Sequence, residues 1–184
     1  MINGCVNLSQ WINENTVGSI SVVEMGAGFF NRLADVHNSV ILKIGIEIYK
    51  SYIDNATYHN CLKFQGDALK YRELLVGYQL DAVLIVDVLE HFEKEVGFNW
   101  INDLKQDFNK ILLMLPTGKY EQSEDVTGFG AHEYQKHRSY WYVEDIEKLQ
   151  FGENVIDPVF HPAHYGEKIS NIDTACYFGV WKKS

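Results

Sequence analysis

Short runs of β-branched and aliphatic residues alternate with amphipathic stretches along the whole chain. Leu8 to Asn15 has the spacing of a short amphipathic helix. Ser19 to Met25 (SISVVEM) reads as a strand that stops at Gly26-Ala27-Gly28, where two glycines call for a tight turn. Phe29 to Val36 reads as helix. Val40 to Glu47 (VILKIGIE) is a second strand, followed by a helix near Ile48 to Asn55. Cys61 to Gly66 is a shorter strand and Ala68 to Leu75 a short helix. Asp81 to Asp87 (DAVLIVD) is the most apolar run, as expected of a strand covered on both faces. Trp100 to Phe108 is a helix, and Lys110 to Leu115 a fifth strand ended by Pro116-Thr117-Gly118. After a long polar and aromatic loop, Val143 to Leu149 is helical. Val155 to Phe160 and Thr174 to Trp181 pair as an antiparallel hairpin. The sum is a Rossmann-like α/β fold: a doubly wound, mostly parallel seven-stranded sheet with helices on both faces.

Ligands of open parallel sheets bind beyond the carboxyl ends of the strands. The residues to read together are therefore Glu24 to Gly28, Glu47 with Ile48, Asp67 with Ala68, and Asp87 to His91. The loop after Leu115 and the turn from His161 to Ile172 fall on the same side.

Composition narrows the classes. The 184 residues suit a single domain spanning 1–184. Acidic side chains outnumber basic ones, 25 to 16, and no basic stripe is present, which argues against nucleic acid as partner. The longest apolar runs fall far short of the ~20 residues that span a bilayer. The first residues lack the features of a signal peptide. The odd, widely spaced set Cys5, Cys61 and Cys176 suits a reduced cytoplasmic protein with idle thiols.

Each strand end offers specific chemistry. Gly26 and Gly28 let the backbone turn and approach a ligand, and serve equally as a bare turn. Glu47 lies 19 residues past Gly28, where an acid accepts hydrogen bonds from the ribose hydroxyls of a nucleoside. A solvated strand-end carboxylate is the plain alternative. Asp67 suits the exocyclic amine of adenine, and suits equally the N-cap of the next helix. The carbonyls of Asp87-Val88-Leu89 suit an ammonium group, with Leu89 packing on a ring.

In this order, VVEMGAG, IGIE, FQGDAL and DAVLIVDVLEHFEK resemble the class I S-adenosylmethionine-dependent methyltransferases. The resemblance covers about Ser19 to Pro116, and the downstream HRSYW stretch is similar to a small bacterial and phage subgroup. It implies S-adenosylmethionine as cofactor. Gly26 and Gly28 would lie at its methionine part, Glu47 at the ribose, and Asp67, with Ala68 beside it, at the adenine; Glu24, Ala27 and Ile48 would also contact the cofactor. Asp87, Val88 and Leu89 would line the sulfonium end. The family often carries a third glycine where this chain has Phe30, which either packs into the sheet or narrows the site.

The resemblance further implies methyl transfer to an O or N acceptor. Adenine-amino methyltransferases carry an Asp/Asn-Pro-Pro-aromatic turn where this chain has Asp87-Val88-Leu89-Glu90, and cytosine-C5 enzymes need a cysteine after proline, which is absent. Those two readings are disfavoured, and the subgroup resemblance implies a small-molecule or saccharide acceptor, handled by a monomer or homodimer. His91 and His137 are the candidate bases, each with a packing or loop-fixing role as the alternative. Phe129, Tyr134, Tyr140, Trp141 and Tyr142 form either an acceptor pocket or lid, or core, and Arg138 either pairs with an acidic or phosphorylated substrate or lies on the surface. His132, His161 and His164 lack an accompanying cysteine or paired carboxylate, so no metal site is expected. Two alternatives remain: an NAD-dependent oxidoreductase, whose third fingerprint glycine is replaced by Asn31, and a non-catalytic cofactor-binding partner subunit.

Overall fold

A computed structural model describes residues 6–119, 121–122, 128–130, 132–157 and 175–183. Seven strands form one sheet: β1 (Ser21–Met25), β2 (Leu42–Glu47), β3 (Leu62–Gln65), β4 (Ala82–Val86), β5 (Lys110–Thr117), β6 (Glu153–Asp157) and β7 (Ala175–Lys182). Their order is β3-β2-β1-β4-β5-β7-β6. The first five pair in parallel, while β7 runs antiparallel to both β5 and β6. The order reverses between β1 and β4, so the crevice above that pair is the place for a ligand.

Strand alternation divides the core between the two faces. Val23, Met25, Val83, Ile85, Ile111 and Leu113 face one side, covered by Trp100, Ile101 and Leu104 of α4 (Lys94–Asp107). Val22, Leu84, Leu112 and Met114 face the other, against Leu8 and Ile12 of α1 (Leu8–Thr16) and against Phe30 and Leu33. Asn7 caps α1 by accepting a hydrogen bond from the Gln10 N–H at 3.0 Å. Shorter helices complete the layers: α2 (Lys50–Asp54), α3 (Tyr71–Leu74), α5 (His132–Gln135) and α6 (Val143–Lys148).

Three segments differ from expectation. Phe29 to Val36 does not become an α-helix. Phe30 sits in the left-handed region (φ 63°), and only a 3₁₀ turn, Asn31–Ala34, follows. The helix expected from Trp100 begins at Lys94, since the polar first turn and Gly97 conceal its periodicity. Pro116 does not end β5. It pairs with Cys176 of β7, beyond the last β4 partner at Met114, where a missing N–H breaks no ladder on the β4 side.

Candidate active site

The glycine turn after β1 is built for close approach. Gly26 has φ 65°, and a Cβ there would lie 2.8 Å from Cγ2 of Val88. Gly28 has φ 51°, and a Cβ there would meet nothing within 4 Å. The first glycine thus lets the turn pass against the end of β4, and the second opens onto empty space. Phe30 does not narrow that space. Its ring lies over Gly45 of β2, where a Cβ would come within 2.3 Å of it. Ala27 is buried on the same side, in the cluster that holds Phe30.

Glu47 ties the turn to β2. Its Oε2 accepts from the Gly28 N–H and its Oε1 from the Tyr49 N–H, both at 2.8 Å. Burial pushes its carboxyl above the ordinary range, and the N–H groups of Tyr49, Gly28 and Ile48 partly offset that. Each oxygen keeps a second lone pair for another donor. Asp67 caps the 3₁₀ turn Ala68–Lys70 by accepting from the Leu69 N–H at 2.9 Å through Oδ1 alone. The N-cap use of this carboxylate is thus realised through Oδ1, and Oδ2 takes no part in it.

Asp87, at the end of β4, has φ 52°, a left-handed conformation that Asp tolerates better than most residues. Burial raises its carboxyl to about 6, with Arg32 opposing. Glu24 lies beneath the turn, only 3% exposed. Among the described residues its Oε2 has no hydrogen-bond partner, and burial raises its carboxyl well above the usual range despite Arg32.

These strand ends enclose a cleft of about 400 Å³. Gly26, Gly28, Glu47, Ile48, Asp67, Ala68, Asp87, Val88 and His91 all line it. The volume is within the range of small-molecule sites. Four expected residues do not line it. Glu24 and Ala27 lie under the turn, and Leu89 is fully buried in the core. His137 sits behind His91, ring centroids 5.1 Å apart, with its side chain 5% exposed.

The loop after β5 closes the far wall and divides its aromatic residues between two roles. Trp141 is fully buried, donates to Oγ of Ser139 at 3.0 Å and packs on Phe98. Its carbonyl accepts from the Gly118 N–H at 2.8 Å. Tyr134 and Arg138 face the cleft. Phe129 lies against Phe29, and the Tyr49 hydroxyl donates to the Phe129 carbonyl. Tyr140 is half-buried and Tyr142 exposed. Sequence reasoning missed the contribution of α5, whose Glu133 and Gln135 also line the cleft. Their short helix lies in a loop with no apolar periodicity. His161 and His164 lie outside the described residues, as does the side chain of His132.

No family model matches the chain, and no curated protein matches it by sequence. Solved structures match its shape. One is a SAM-dependent methyltransferase from Archaeoglobus fulgidus, 18% identical, with a TM-score of 0.61 and 92% of this chain covered against 89% of that one. The fold is that of the class I S-adenosylmethionine-dependent methyltransferases. The N-terminal domain of EvdMO1, solved with SAH and D-fucose, shares the fold at 13% identity and a TM-score of 0.64, covering 96% of this chain and 81% of that one. So does the small RNA methyltransferase HEN1, at 15% identity and a TM-score of 0.59, where 96% of this chain matches 26% of that one.

Proposed function

We propose that this chain is a methyltransferase that moves a methyl group from S-adenosylmethionine to an O or N acceptor on a small molecule or glycan. The observation that carries the reading is one cleft, above the point where the strand order reverses, lined in sequence order by the Gly26/Gly28 turn, Glu47, Asp67 and Asp87. The antiparallel β7 between β5 and β6 favours this over an NAD-dependent oxidoreductase, whose sheet in the dinucleotide fold runs 3-2-1-4-5-6. Phe30, packed on Gly45, leaves the glycine turn open to a ligand, which supports a working site over a non-catalytic partner subunit.

The residues suit the cofactor. Glu47 Oε1 and Oε2 keep lone pairs for the ribose hydroxyls, and Asp67 Oδ2 is left for the adenine amine. Gly28, with no atom within 4 Å of its would-be Cβ, leaves room at the methionine part, and Asp87 suits the ammonium end. When bound, the cofactor supplies a methyl on a cationic sulfur. The chain's own work is then to hold the acceptor in line with it, which is orientation catalysis. His91 faces the cleft, and burial holds its imidazole down to about 4, so it is neutral at physiological pH. With no ion on its ring, it is suited to accept a hydrogen bond from the acceptor. Arg138 and Tyr134 on the far wall are placed to contact the same molecule.

The fold is shared by a small RNA methyltransferase and by EvdMO1, solved with SAH and D-fucose, so the acceptor class rests on the acidic balance and the lack of a basic stripe in the sequence. Among the described residues no helix is long and apolar enough to cross a membrane. Calorimetry with S-adenosylhomocysteine tests the cofactor assignment, and saturable binding with no response to NAD is expected. Binding of NAD without S-adenosylhomocysteine would overturn it.

A further inference from the structure

Behind the acceptor end of the cleft, three metal-ligating side chains converge that were not expected to meet. Glu90, His91 and His137 each bring one ligand atom to within 4.8 Å of the others. The Glu90 Oε1 to His137 Nε2 separation is 4.0 Å.

The backbone holds them there. Glu90 and His91 lie on the 3₁₀ turn Leu89–His91 directly after β4. His137 comes from the loop after β5, and that loop is pinned to the same turn: the Arg138 and Ser139 N–H groups both donate to the Glu90 carbonyl, at 2.8 and 3.1 Å. Fully buried Trp141 anchors the loop further along. The arrangement is a preset cluster on two neighbouring strand ends.

Two details point to a cation. First, the Glu90 carboxylate is almost fully buried, and among the described residues its Oε2 has no hydrogen-bond partner. An unsatisfied buried carboxylate oxygen is costly, and a bound cation removes that cost. Second, His91 Nδ1 lies 3.2 Å from the Lys136 carbonyl, a hydrogen bond that is made when Nδ1 carries the proton. In the neutral ring Nε2 then holds the lone pair, the tautomer of a metal-binding imidazole fixed by an outer hydrogen bond.

We propose that Glu90, His91 and His137 form a binding site for one divalent first-row metal ion. Two imidazoles and one carboxylate suit Zn²⁺, Fe²⁺ or Mn²⁺ better than Ca²⁺ or Mg²⁺. Bonds of about 2.1 Å place tetrahedral ligand atoms about 3.4 Å apart, so the three side chains need only small rotations to close on an ion. Three protein ligands leave at least one position open. His91 and Asp87 line the cleft, so that position is reached from it. If the methyltransferase reading holds, the open position would take an acceptor oxygen and ease its loss of a proton. Cation binding itself does not depend on that reading.

The test is titration of EDTA-treated protein with Co²⁺ and Zn²⁺, followed by visible d–d absorption for Co²⁺ and by calorimetry for both. One equivalent is expected. Glu90→Gln and His137→Gln are each expected to lower Co²⁺ affinity by at least about tenfold, with circular dichroism and S-adenosylhomocysteine binding retained. The isosteric Glu90→Gln guards against a variant that fails to fold. No saturable binding by the wild-type protein, or wild-type Co²⁺ affinity in both folded variants, overturns the site. Failure of S-adenosylhomocysteine to bind while Co²⁺ still does would overturn the cofactor reading and leave the metal site standing.

Discussion

Replacing Glu47 by glutamine probes the join between fold and chemistry. Both carboxylate oxygens accept backbone N–H bonds at 2.8 Å, from Gly28 and from Tyr49. An amide keeps one acceptor and turns an NH₂ group toward the other donor. The loss is one charge-assisted hydrogen bond, about 1.5–3 kcal/mol, and it falls on the turn that shapes the cleft. Stability changes less than this, because burial already disfavours the carboxylate and the neutral amide escapes that penalty. Binding bears the larger share, since a ribose would lose a charged acceptor and Gly28 its tether. S-adenosylhomocysteine affinity should fall by about 10- to 150-fold, at about 1.4 kcal/mol per decade. Calorimetry reads this directly, with a thermal melt to establish that the variant is folded. A folded variant that binds within twofold of wild type refutes the assignment of Glu47 to the ribose.

Three further outcomes follow from the same geometry. The Glu24 carboxyl is raised by burial, so its charged form destabilises the fold as pH climbs above the ordinary carboxylate range; Glu24→Gln should stabilise the protein at pH about 8 and gain little at pH about 5, and a melting difference that does not grow with pH would contradict this. Phe30→Gly relieves a left-handed phenylalanine, worth about 1–2 kcal/mol, but removes a fully buried ring, worth about 3–5 kcal/mol; denaturant unfolding should show a net loss with cofactor affinity intact, and weakened binding would place the ring in the cleft after all. Tyr49→Phe removes the hydroxyl that holds the Phe129 carbonyl and keeps the ring contacts with Tyr52 and Tyr134, so stopped-flow release of S-adenosylhomocysteine should quicken by less than about tenfold, whereas an unchanged release rate would mean this bond does not secure the far wall.

The strands were readable because their signal is local. The runs in β1, β4 and β5 are mostly apolar, and that pattern alone places the strands, although β5 runs on through Pro116 to Thr117. The misreadings arise where one residue's partner is distant in sequence. Nothing in Phe29 to Val36 announces that Phe30 will fold back over Gly45 in a left-handed conformation, since the glycine that makes room for it lies on another strand. Gly97 looks like a break in α4 until Trp141 is seen to pack within 2.9 Å of its would-be Cβ. Leu89 looked like a cleft residue from its position after β4, but the 3₁₀ turn sends it into the core and brings His91 to the cleft instead. The meeting of Glu90 with His137 depends on two N–H groups across a loop, and no spacing rule encodes it.

The place of β7 bears on how the chain reaches this state. Ala175–Lys182 is threaded between β5 and β6 and supplies both of them with a hydrogen-bonding neighbour. During synthesis β1 to β5 can assemble in the order they emerge, yet the outer edge of β5 stays bare until that late segment has left the ribosome. A nascent chain stalled before it would present Leu112 to Pro116 as an open apolar edge, so chaperone capture should peak just before β7 emerges.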